Sequence, residues 1–476
     1  MALPVFSARN PRTGVFDYQC EQATVADLDE AAKRLRSNQP AWSALGVDGR
    51  IGVLNAFVAA FEQSKDKVFE ALKADTGRIR IARLETGAIA GLVARVAADA
   101  RALLRDVAAR PTMIPHITGA GQYVPYGLMG NITPWNFPLL LSLIDTLPSL
   151  VAGNAVLIKP SEVTPRWVDP FRAIVKSVPV LDGVLAVVRG PGETGAALID
   201  RVDLVTYTGS VRTGRKVAEA AARRFVPAYL ELGGKDPAVV LASANLEAAT
   251  SGILRASVAA TGQACQSLER VYVDRAIYDR FVAMIAAKAK TVSLDMEDPE
   301  NGFVGPFIFD RQAEIVADHL RDAVAKGAKI LTGGEIVGKG GKWLAPTVVV
   351  DVSHKMKVMT EETFGPVIPI MPFSTIEDAI MLANDTIYGL SASVYAGTAD
   401  EALPVARRLN GGAVSINDGS LTAMIQDTAH ESFGFSGMGP TRFGPEGVLR
   451  YVRRKALLTN SAGPMDVNGK TIALSA

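Results

Sequence analysis

Between residues 155 and 232 the sequence alternates short β-rich runs with helical stretches, and this alternation constrains the fold more than any other feature. Predicted strands cover 155–159, 183–188, 204–207 and 228–232, with predicted helices at 165–177 and 212–224. Strands that alternate with helices at this spacing are typical of a parallel, doubly wound sheet. The chain is therefore predicted to have an α/β fold.

The regions on either side of this alternation show different patterns. Residues 24–110 have apolar side chains at three- and four-residue spacing, which predicts helices. From about 235 a second alternation begins, with strands predicted at 237–241 and 271–273 and helices at 246–259 and 276–291. Residues 471–474 can form an edge strand. A length of 476 residues fits two or three domains.

Three segments that follow predicted strands have residues suited to a nucleotide. Gly190 to Gly195 matches G-x-G-x-x-G formally, but Pro191 stiffens it and no acidic residue ends a strand about twenty residues later. Thr208-Gly209-Ser210 joins a strand to a helix, where free N–H groups and the helix dipole attract an anion. Lys159-Pro160-Ser161-Glu162 places a cation and a carboxylate where they suit a ribose. The alternative for that pair is an exposed ion pair on a loop.

Cys265 is one of only two cysteines, and it follows the carboxylate of Glu231 by 34 positions. A free thiol has a pKa of about 8.5, so it needs activation before it can attack carbon. A carboxylate that accepts a proton from a thiol or a water is a suitable partner. Gly262 nearby lets the backbone approach a ligand. The alternative is a buried structural cysteine that acts as a small apolar side chain.

Composition limits the classes of partner. Lys plus Arg (50) nearly balances Asp plus Glu (49), so no nucleic-acid partner is expected. The longest apolar region, 139–158, is interrupted by Asp145, Pro148 and Asn154, so no membrane partner is expected. Two cysteines provide no disulfide framework, which fits a reducing compartment and a cytoplasmic location. No metal ligand set is expected.

Taken together, a series of motifs along nearly the whole chain resembles the NAD(P)-dependent aldehyde dehydrogenase superfamily. The motifs are Asn10-Pro11-Arg12-Thr13-Gly14, the segment 132–139 around Pro134-Trp135-Asn136-Phe137-Pro138, Lys159 to Glu162, Tyr207 to Ser210, Glu231 to Lys235, Gly262 to Cys265, Glu361 to Val367, Asn384 with Tyr388-Gly389-Leu390, and Ser436 to Gly439. The resemblance implies a doubly wound parallel-sheet cofactor domain, an α/β catalytic domain and a small β oligomerisation flap. The predicted boundaries are 1–110 with 132–233, then 234–420, and 111–131 with 421–476.

The resemblance also implies a role for each catalytic residue. Cys265 would attack the aldehyde carbon, and Glu231 would activate the water that hydrolyses the resulting thioester. Asn136 and the Cys265 N–H would form an oxyanion hole. The implied cofactor is NAD, with NADP possible, because Glu162 would repel a 2′-phosphate and Arg166 could soften that repulsion. The implied cofactor-binding residues are Thr133, Pro134, Trp135, Lys159, Ser161, Glu162, Gly192, Thr208, Gly209, Ser210, Leu232, Glu362 and Phe364.

An apolar or aromatic aldehyde is the expected substrate. The implied tunnel is lined by Phe137, Leu140, Leu141, Ala264 and Gln266, and no Arg adjoins Cys265 in the sequence to clamp a substrate carboxylate. The chain departs from the family pattern at Ala429 to Gly437, in the segment that helps to form the substrate entrance in relatives. His430 and Glu431 could meet a hydroxyl or a ring substituent, or lie in a solvated loop. The expected partner besides the aldehyde is the chain itself, as a homodimer or homotetramer.

Other functions predict different features. A CoA-acylating semialdehyde dehydrogenase does not need a water-activating base, so Glu231 favours hydrolysis; a succinic-semialdehyde-type substrate is a further alternative. A cysteine hydrolase would need a histidine near the thiol, and none of the four histidines shares a motif with Cys265. A structural or binding protein with this fold has no reason to retain Cys265, Glu231 and Asn136 together.

Overall fold

A six-stranded sheet confirms the predicted doubly wound arrangement. The structure is a computed structural model that describes residues 5–474. All but one of the pairings in this sheet are parallel. In spatial order its strands are Gly437–Met438, Ala228–Glu231, Leu204–Thr208, Leu128–Ile132, Ala155–Lys159 and Leu185–Val187.

The order of these strands creates a crevice. From Leu128–Ile132 the chain crosses to the strand on one side, whereas from Leu204–Thr208 it crosses to the strand on the other side. The loops that follow these two neighbouring strands therefore diverge. Ligands bind to doubly wound sheets at such switch points, outside the carboxyl ends of the strands.

A seven-stranded sheet forms a second α/β unit. Its strands, in spatial order, are Lys329–Ile330, Thr347–Val350, Val367–Phe373, Leu268–Asp274, Asp236–Val240, Ser391–Tyr395 and Ala413–Ile416. Only the pairing of the first two is antiparallel. The predicted strands at 237–241 and 271–273 are both in this sheet.

A three-stranded antiparallel flap consists of Val107–Pro111, Ile117–Pro125 and Val452–Asn460. Two expectations about this region are wrong. Leu128–Ile132, most of which the predicted flap segment 111–131 included, pairs in the six-stranded sheet because its fully buried side chains belong to that core. Residues 471–474 form no strand beyond an isolated bridge between Thr471 and Met465. The division into domains stays a prediction, and residues 1–4 and 475–476 of its outer boundaries lie outside the described residues.

Helices cover both sheets. Four of them occupy the predicted helical region 24–110 as far as Leu103, but its end was wrongly predicted, because the flap strand Val107–Pro111 begins there. The longer helices are Val25–Ala44, Gly46–Thr76, Ile79–Gly87, Ile89–Leu103, Leu140–Val151, Val168–Lys176, Gly192–Ile199, Val211–Arg224, Leu246–Val258, Tyr278–Ala289, Asp310–Ala325, Ile376–Asn384 and Ala399–Ala406. Short helical turns lie at Pro179–Asp182, Ala259–Gly262, Lys357–Thr360, Leu421–Met424 and Pro445–Tyr451, and short strand pairs join Val5–Arg9 to Phe16–Glu21, Ile336–Val337 to Trp343–Leu344, and Tyr388–Gly389 to Phe433–Gly434.

Large apolar side chains from these helices pack against the sheets. Trp42, Phe57, Phe61, Trp167 and Phe171 are buried with the strands of the six-stranded sheet in one core. Two further clusters lie with the seven-stranded sheet. Within residues 5–474 no single helix is long and apolar enough to cross a membrane, although Val25–Ala44 and Gly46–Thr76, bent by 117°, meet the length and composition criteria together.

Candidate active site

A cavity of about 130 Å³ lies at the switch point of the six-stranded sheet. The loop after Leu128–Ile132 contributes Pro134, Trp135 and Asn136, and the loop after Leu204–Thr208 contributes Gly209 and Ser210. The second α/β unit closes the cavity, and its wall also includes Leu141, Thr208, Glu231, Leu232, Gly233, Cys265, Gln312, Glu362 and Phe364. Segments that are far apart in the sequence therefore meet at one crevice, as the parallel sheet requires.

The turn that presents Cys265 has a costly backbone conformation. Three successive residues have left-handed φ angles: Ala260 (53°), Thr261 (64°) and Gly262 (67°). For residues with a Cβ this conformation costs about 1–2 kcal/mol each. Such outliers persist only where surrounding structure imposes them. The next residue, Gln263, is held by its own side chain, which accepts from Ile308 N at 3.1 Å and donates to the Pro306 carbonyl at 3.4 Å.

Gly262 is required by a close approach, but not to a ligand. A Cβ on Gly262 would lie 2.3 Å from the carbonyl carbon and oxygen of Gly365. The expectation that this glycine lets the backbone approach a ligand is therefore wrong. It lets the cysteine turn approach the loop that carries Glu362 and Phe364, and so holds the two loops together.

Burial dominates the electrostatics of the Cys265 thiol and raises its pKa to about 12. The Arg442 guanidinium opposes this shift, whereas the carboxylates of Asp236, Glu362 and Glu231 add to it. A positive charge placed near the thiol would favour the thiolate. The thiol therefore stays protonated near neutral pH until something else supplies positive charge.

Asn136 lies beside the cysteine turn, as predicted. Its Nδ2 donates to the Gln263 carbonyl at 3.1 Å, which leaves the second hydrogen of the amide available. Arg78, buried, donates to the carbonyl of Asn136 and to that of Ala260, the latter at 2.9 Å. One guanidinium thus connects both halves of the predicted oxyanion hole.

The buried carboxyl of Glu85 supports the segment that follows Asn136. Its Oε2 accepts from the backbone N–H groups of Leu139 (3.0 Å) and Leu140 (2.9 Å), where the helix Leu140–Val151 begins. Burial raises the pKa of this carboxyl to about 7. Neither residue lies in a recognisable motif: Arg78 precedes the helix Ile79–Gly87 and Glu85 lies within it, and that helix shows only ordinary amphipathic spacing.

Glu231 ends its strand at the cavity and is held from two directions. The Gly437–Met438 strand pairs antiparallel with this strand, with Gly437 opposite Glu231. Glu231 Oε1 lies 3.2 Å from Arg450 Nη1, and Oε2 accepts from Ser432 Oγ at 3.2 Å. The sequence motif around Ser436 thus serves to place Glu231.

A buried ion pair supports the loop that holds Glu362 and Phe364. Glu269 accepts from the backbone N–H groups of Thr363 and Phe364, each at 2.7 Å. Lys235 Nζ lies 2.7 Å from Glu269 Oε2 and neutralises it. Phe364 has a left-handed φ of 54° and packs edge-on against Trp135, with ring centroids 5.4 Å apart. Glu362 accepts from Gly234 N at 3.2 Å, and burial raises its pKa to about 8.

The other predicted cofactor residues lie outside this cavity wall. Lys159 Nζ pairs with Glu162 Oε2 at 2.9 Å, and the Glu162 side chain is half-exposed. Ser161 Oγ accepts from Val163 N, and Thr133 Oγ1 is hydrogen-bonded to Ser142 Oγ at 2.7 Å inside the protein. Gly192 is exposed at the start of the helix Gly192–Ile199.

Arg166 is not available to a 2′-phosphate. It is buried and pairs with Asp75, at 2.9 Å, and with Asp17. It also donates to the carbonyls of Ala8 and Arg9. The expectation that Arg166 could soften the repulsion by Glu162 is therefore wrong, because carboxylates and carbonyls of the N-terminal region occupy its donors.

A second cavity, of about 330 Å³, also reaches Cys265. All five predicted tunnel residues line it: Phe137, Leu140, Leu141, Ala264 and Gln266. Leu84 and Met424, which are 52% and 62% exposed, lie at its mouth, so the apolar lining continues to the surface. Cys265 and Glu231 belong to the walls of both cavities.

Two arginines that belong to none of the sequence motifs also line this second cavity. Arg442 is buried, and its guanidinium lies 3.3 Å from Asp145 and 3.9 Å from Glu231. Arg255 is exposed, and no ion pair within residues 5–474 neutralises it. The expectation of no Arg beside Cys265 holds along the sequence but is wrong in three dimensions, because a helix and the C-terminal segment bring both to the cavity.

His430 lines the cavity, whereas Glu431 does not. The His430 ring stacks on Phe443 with centroids 4.4 Å apart, and burial lowers its pKa. It is therefore a neutral, largely apolar part of the wall. Glu431 is exposed outside the lining, as expected for a solvated loop.

Comparison with known proteins gives consistent matches along the chain. The sequence model described as "Aldehyde dehydrogenase family" matches residues 4–457. The "Putative succinate-semialdehyde dehydrogenase (NADP(+)) 2" of Mycobacterium tuberculosis is 34% identical over 92% of this chain and 85% of the relative. The "4,4'-diapolycopene aldehyde oxidase" of Methylomonas sp is 37% identical over 88% of this chain and 79% of the relative. The solved structure of "Putative Aldehyde Dehydrogenase PutA" from Anabaena variabilis superposes with a TM-score of 0.95 at 50% identity, covering 98% of this chain and 99% of that one.

Proposed function

The chain belongs to the aldehyde dehydrogenase family, and from this we infer that it oxidises an apolar aldehyde to the carboxylic acid by covalent catalysis at Cys265. The observation that supports the inference most strongly is the position of Cys265 between two cavities. One cavity contains the polar loops at the switch point, and the other is an apolar tunnel to the surface. A thiol at that junction can contact a cofactor on one side and a substrate on the other.

The cofactor is a nicotinamide dinucleotide, NAD or NADP, and the loops around the first cavity suit part of one. The N-terminus of the helix Val211–Arg224 offers its dipole to a phosphate. We expect Thr208, Gly209, Ser210 and Leu232 to hold the pyrophosphate side, and Pro134, Trp135, Glu362 and Phe364 the nicotinamide side.

The side chains divide the reaction between them. Cys265 gives its proton to water or to Glu231, and its Sγ forms a bond to the aldehyde carbon as the carbonyl π bond breaks. The carbonyl oxygen becomes an oxyanion that Asn136 Nδ2 and the Cys265 N–H can stabilise. A bound dinucleotide would supply the hydride acceptor, and loss of the hydride from that carbon would leave a thioester on Cys265. A water then attacks the thioester, Glu231 accepts its proton, and the carbon–sulfur bond breaks to release the acid and the thiol.

An apolar aldehyde fits the tunnel because its walls are mainly aliphatic and aromatic. Each methylene buried there contributes about 0.8 kcal/mol. Arg442 does not change this preference, because Asp145 and Glu231 neutralise it and Arg450 together. We therefore expect kcat/KM to rise from acetaldehyde to hexanal and benzaldehyde.

A semialdehyde with a distal carboxylate is the second candidate substrate. Arg255 favours it, because this exposed cation at the mouth could meet a carboxylate whose aldehyde end reaches Cys265. One relative is named as a succinate-semialdehyde dehydrogenase. Transfer of the acyl group to CoA is less consistent with a carboxylate at the position of Glu231, which suits activation of water.

NAD is the expected cofactor in preference to NADP. The half-exposed carboxylate of Glu162 can accept from ribose hydroxyls and would repel a 2′-phosphate. Arg166, which could have countered that repulsion, is occupied by Asp75 and Asp17. The ratio of kcat/KM for the two cofactors measures this preference, and Glu162→Gln should reduce it.

A substrate panel tests the proposal. Acetaldehyde, hexanal, benzaldehyde and succinic semialdehyde are compared by kcat/KM at 340 nm with NAD, with and without CoA, for the wild type and Arg255→Gln. The apolar proposal predicts highest values for hexanal or benzaldehyde, unchanged in Arg255→Gln and independent of CoA. Highest activity with succinic semialdehyde, lost in Arg255→Gln, would establish the second candidate instead.

A further inference from the structure

Beside Glu231, the C-terminal segment contributes two buried arginines, Arg442 and Arg450. We propose that Arg450 is a positioning residue that orients the Glu231 carboxylate for the hydrolytic step, an inference that rests on the proposed role of Glu231 as the base. Nothing in the sequence motifs indicates this, since Arg450 lies 219 positions from Glu231. The contacts that support it come from four separate parts of the chain.

Arg450 is itself rigidly held. Its side chain is 1% exposed, and Nη1 lies 3.2 Å from Glu231 Oε1 and 3.8 Å from Asp145 Oδ1. The guanidinium also stacks 4.9 Å from the ring centroid of Tyr229. A guanidinium fixed on three sides can impose a position on the one partner that reaches the cavity.

Asp145 anchors the cluster. Its Oδ1 accepts from the Tyr451 hydroxyl at 2.6 Å, and its Oδ2 lies 3.3 Å from Arg442 Nη1. Arg442 also donates to Thr208 Oγ1 at 3.2 Å, which connects the cluster to the loop at the switch point. Asp145 therefore keeps both arginines in place.

The charges of the cluster balance. Two guanidinium groups face two carboxylates, so the buried charges are paired and the cluster has no surplus positive charge. A cluster of this kind is poorly suited to clamp a carboxylate substrate. Its one member with a side chain in both cavities is Glu231.

The orientation of Glu231 follows from these contacts. Arg450 contacts Oε1, and Ser432 Oγ donates to Oε2 at 3.2 Å. Each carboxylate oxygen has two acceptor positions, so both oxygens keep capacity for a water. With both oxygens contacted, the plane of the carboxylate is fixed relative to Cys265. A misplacement of about 1 Å in such a group can cost about a hundredfold in rate.

Rapid-mixing kinetics can distinguish positioning from a structural role. The first turnover reports attack and hydride transfer as a burst of NADH, and the following steady state reports hydrolysis. In Arg450→Met we expect the burst rate to stay within about twofold while the steady-state rate falls by about ten- to a hundredfold. The burst amplitude counts active sites, so both rates are obtained per folded molecule.

A double-mutant comparison tests whether Arg450 acts through Glu231. If it does, Glu231→Gln with Arg450→Met should hydrolyse no more slowly than Glu231→Gln alone, because the second change removes nothing further. Arg450→Lys, which keeps the charge but loses the fork of donors, should give an intermediate rate and replaces Arg450→Met if that variant does not fold. Arg223→Met, at an exposed arginine, is the matched control and should leave both rates unchanged.

Two outcomes would overturn the proposal. Equal losses in burst and steady-state rates would show that Arg450 supports the whole site, and additive losses in the double variant would show that it acts independently of Glu231. The proposed function has its own failure: a Glu231→Gln variant that hydrolyses at the wild-type rate would remove Glu231 as the base whatever Arg450 does.

Discussion

The pKa of the partly buried Cys265 thiol lies above that of free cysteine, because desolvation and three nearby carboxyl groups disfavour the thiolate. The positive charge of the Arg442 guanidinium opposes that effect. The proposed nucleophile is thus held as the neutral thiol in the protein alone. The oxidised nicotinamide ring is positively charged. A cofactor bound in the first cavity, beside the thiol, would therefore favour the thiolate.

This state of the thiol predicts slow alkylation. With a pKa raised to about 12, Cys265 has less thiolate than free cysteine at every pH below that value, and its alkylation rate should rise about tenfold per pH unit from pH 8 to 11. Mass spectrometry of the peptide containing Cys265 after iodoacetamide treatment measures this, with glutathione as the control thiol. Addition of NAD should accelerate the reaction. Alkylation of the cofactor-free protein as fast as that of glutathione at pH 7 would contradict the assignment.

At the scale of elements, the site depends on how closely the cysteine turn approaches the loop of Glu362 and Phe364. Gly262 permits that approach through a left-handed φ of 67° and the lack of a Cβ. Buried Glu269 holds the facing loop by two backbone N–H groups. Each loop therefore restrains the other, and neither geometry is set by its own sequence alone.

Gly262→Ala should lower both the melting temperature and the turnover rate, because a Cβ would collide with the Gly365 carbonyl at 2.3 Å. Gly91→Ala is the matched control: it lies in the helix Ile89–Leu103, and a Cβ there contacts nothing within 4 Å. That control should stabilise the protein by up to about 1 kcal/mol. Thermal unfolding and steady-state turnover of both variants test the difference. A Gly262→Ala variant as stable and active as the wild type would show that the turn can relax.

The strands and the motif residues could be predicted from the sequence, whereas the residues that act between separate elements could not. The strands at 155–159 and 204–208 were predictable because buried parallel strands are continuous apolar runs between turn residues. Cys265, Glu231 and Asn136 were predictable because they lie in local motifs. Arg78, Glu85, Arg442 and Arg450 were not, because each acts on a residue at least 54 positions away through contacts that only the packing of separate elements creates.

At the scale of the whole molecule, the flap is exposed in the single chain. Adjacent residues Leu457 and Leu458 of its outer strand Val452–Asn460 are 45% and 71% exposed, and Met113 beside it is 97% exposed. Since neighbouring side chains on a strand point to opposite faces, both faces of the flap are uncovered. Exposed apolar side chains and free sheet edges are typical of association surfaces, which supports the expectation of a homodimer or homotetramer.

Leu458→Glu should therefore shift the protein toward a smaller assembly, because a charge would be buried in the proposed contact. Phe225→Glu is the matched control, since Phe225 is 99% exposed at the end of the helix Val211–Arg224 and outside the flap. Light scattering after size-exclusion chromatography gives the mass of each. A wild-type monomer, or an unchanged mass for Leu458→Glu, would contradict association through the flap.

Formation of an acyl thioester on Cys265 is tested most directly by the mass of the protein during turnover. Glu231→Gln is mixed with NAD and hexanal, quenched in acid after the burst, and digested for mass spectrometry. We expect the peptide containing Cys265 to gain the mass of one hexanoyl group, in proportion to the NADH formed, and Cys265→Ala to give neither product. NADH formed without an acyl group on Cys265 would contradict covalent catalysis at this residue.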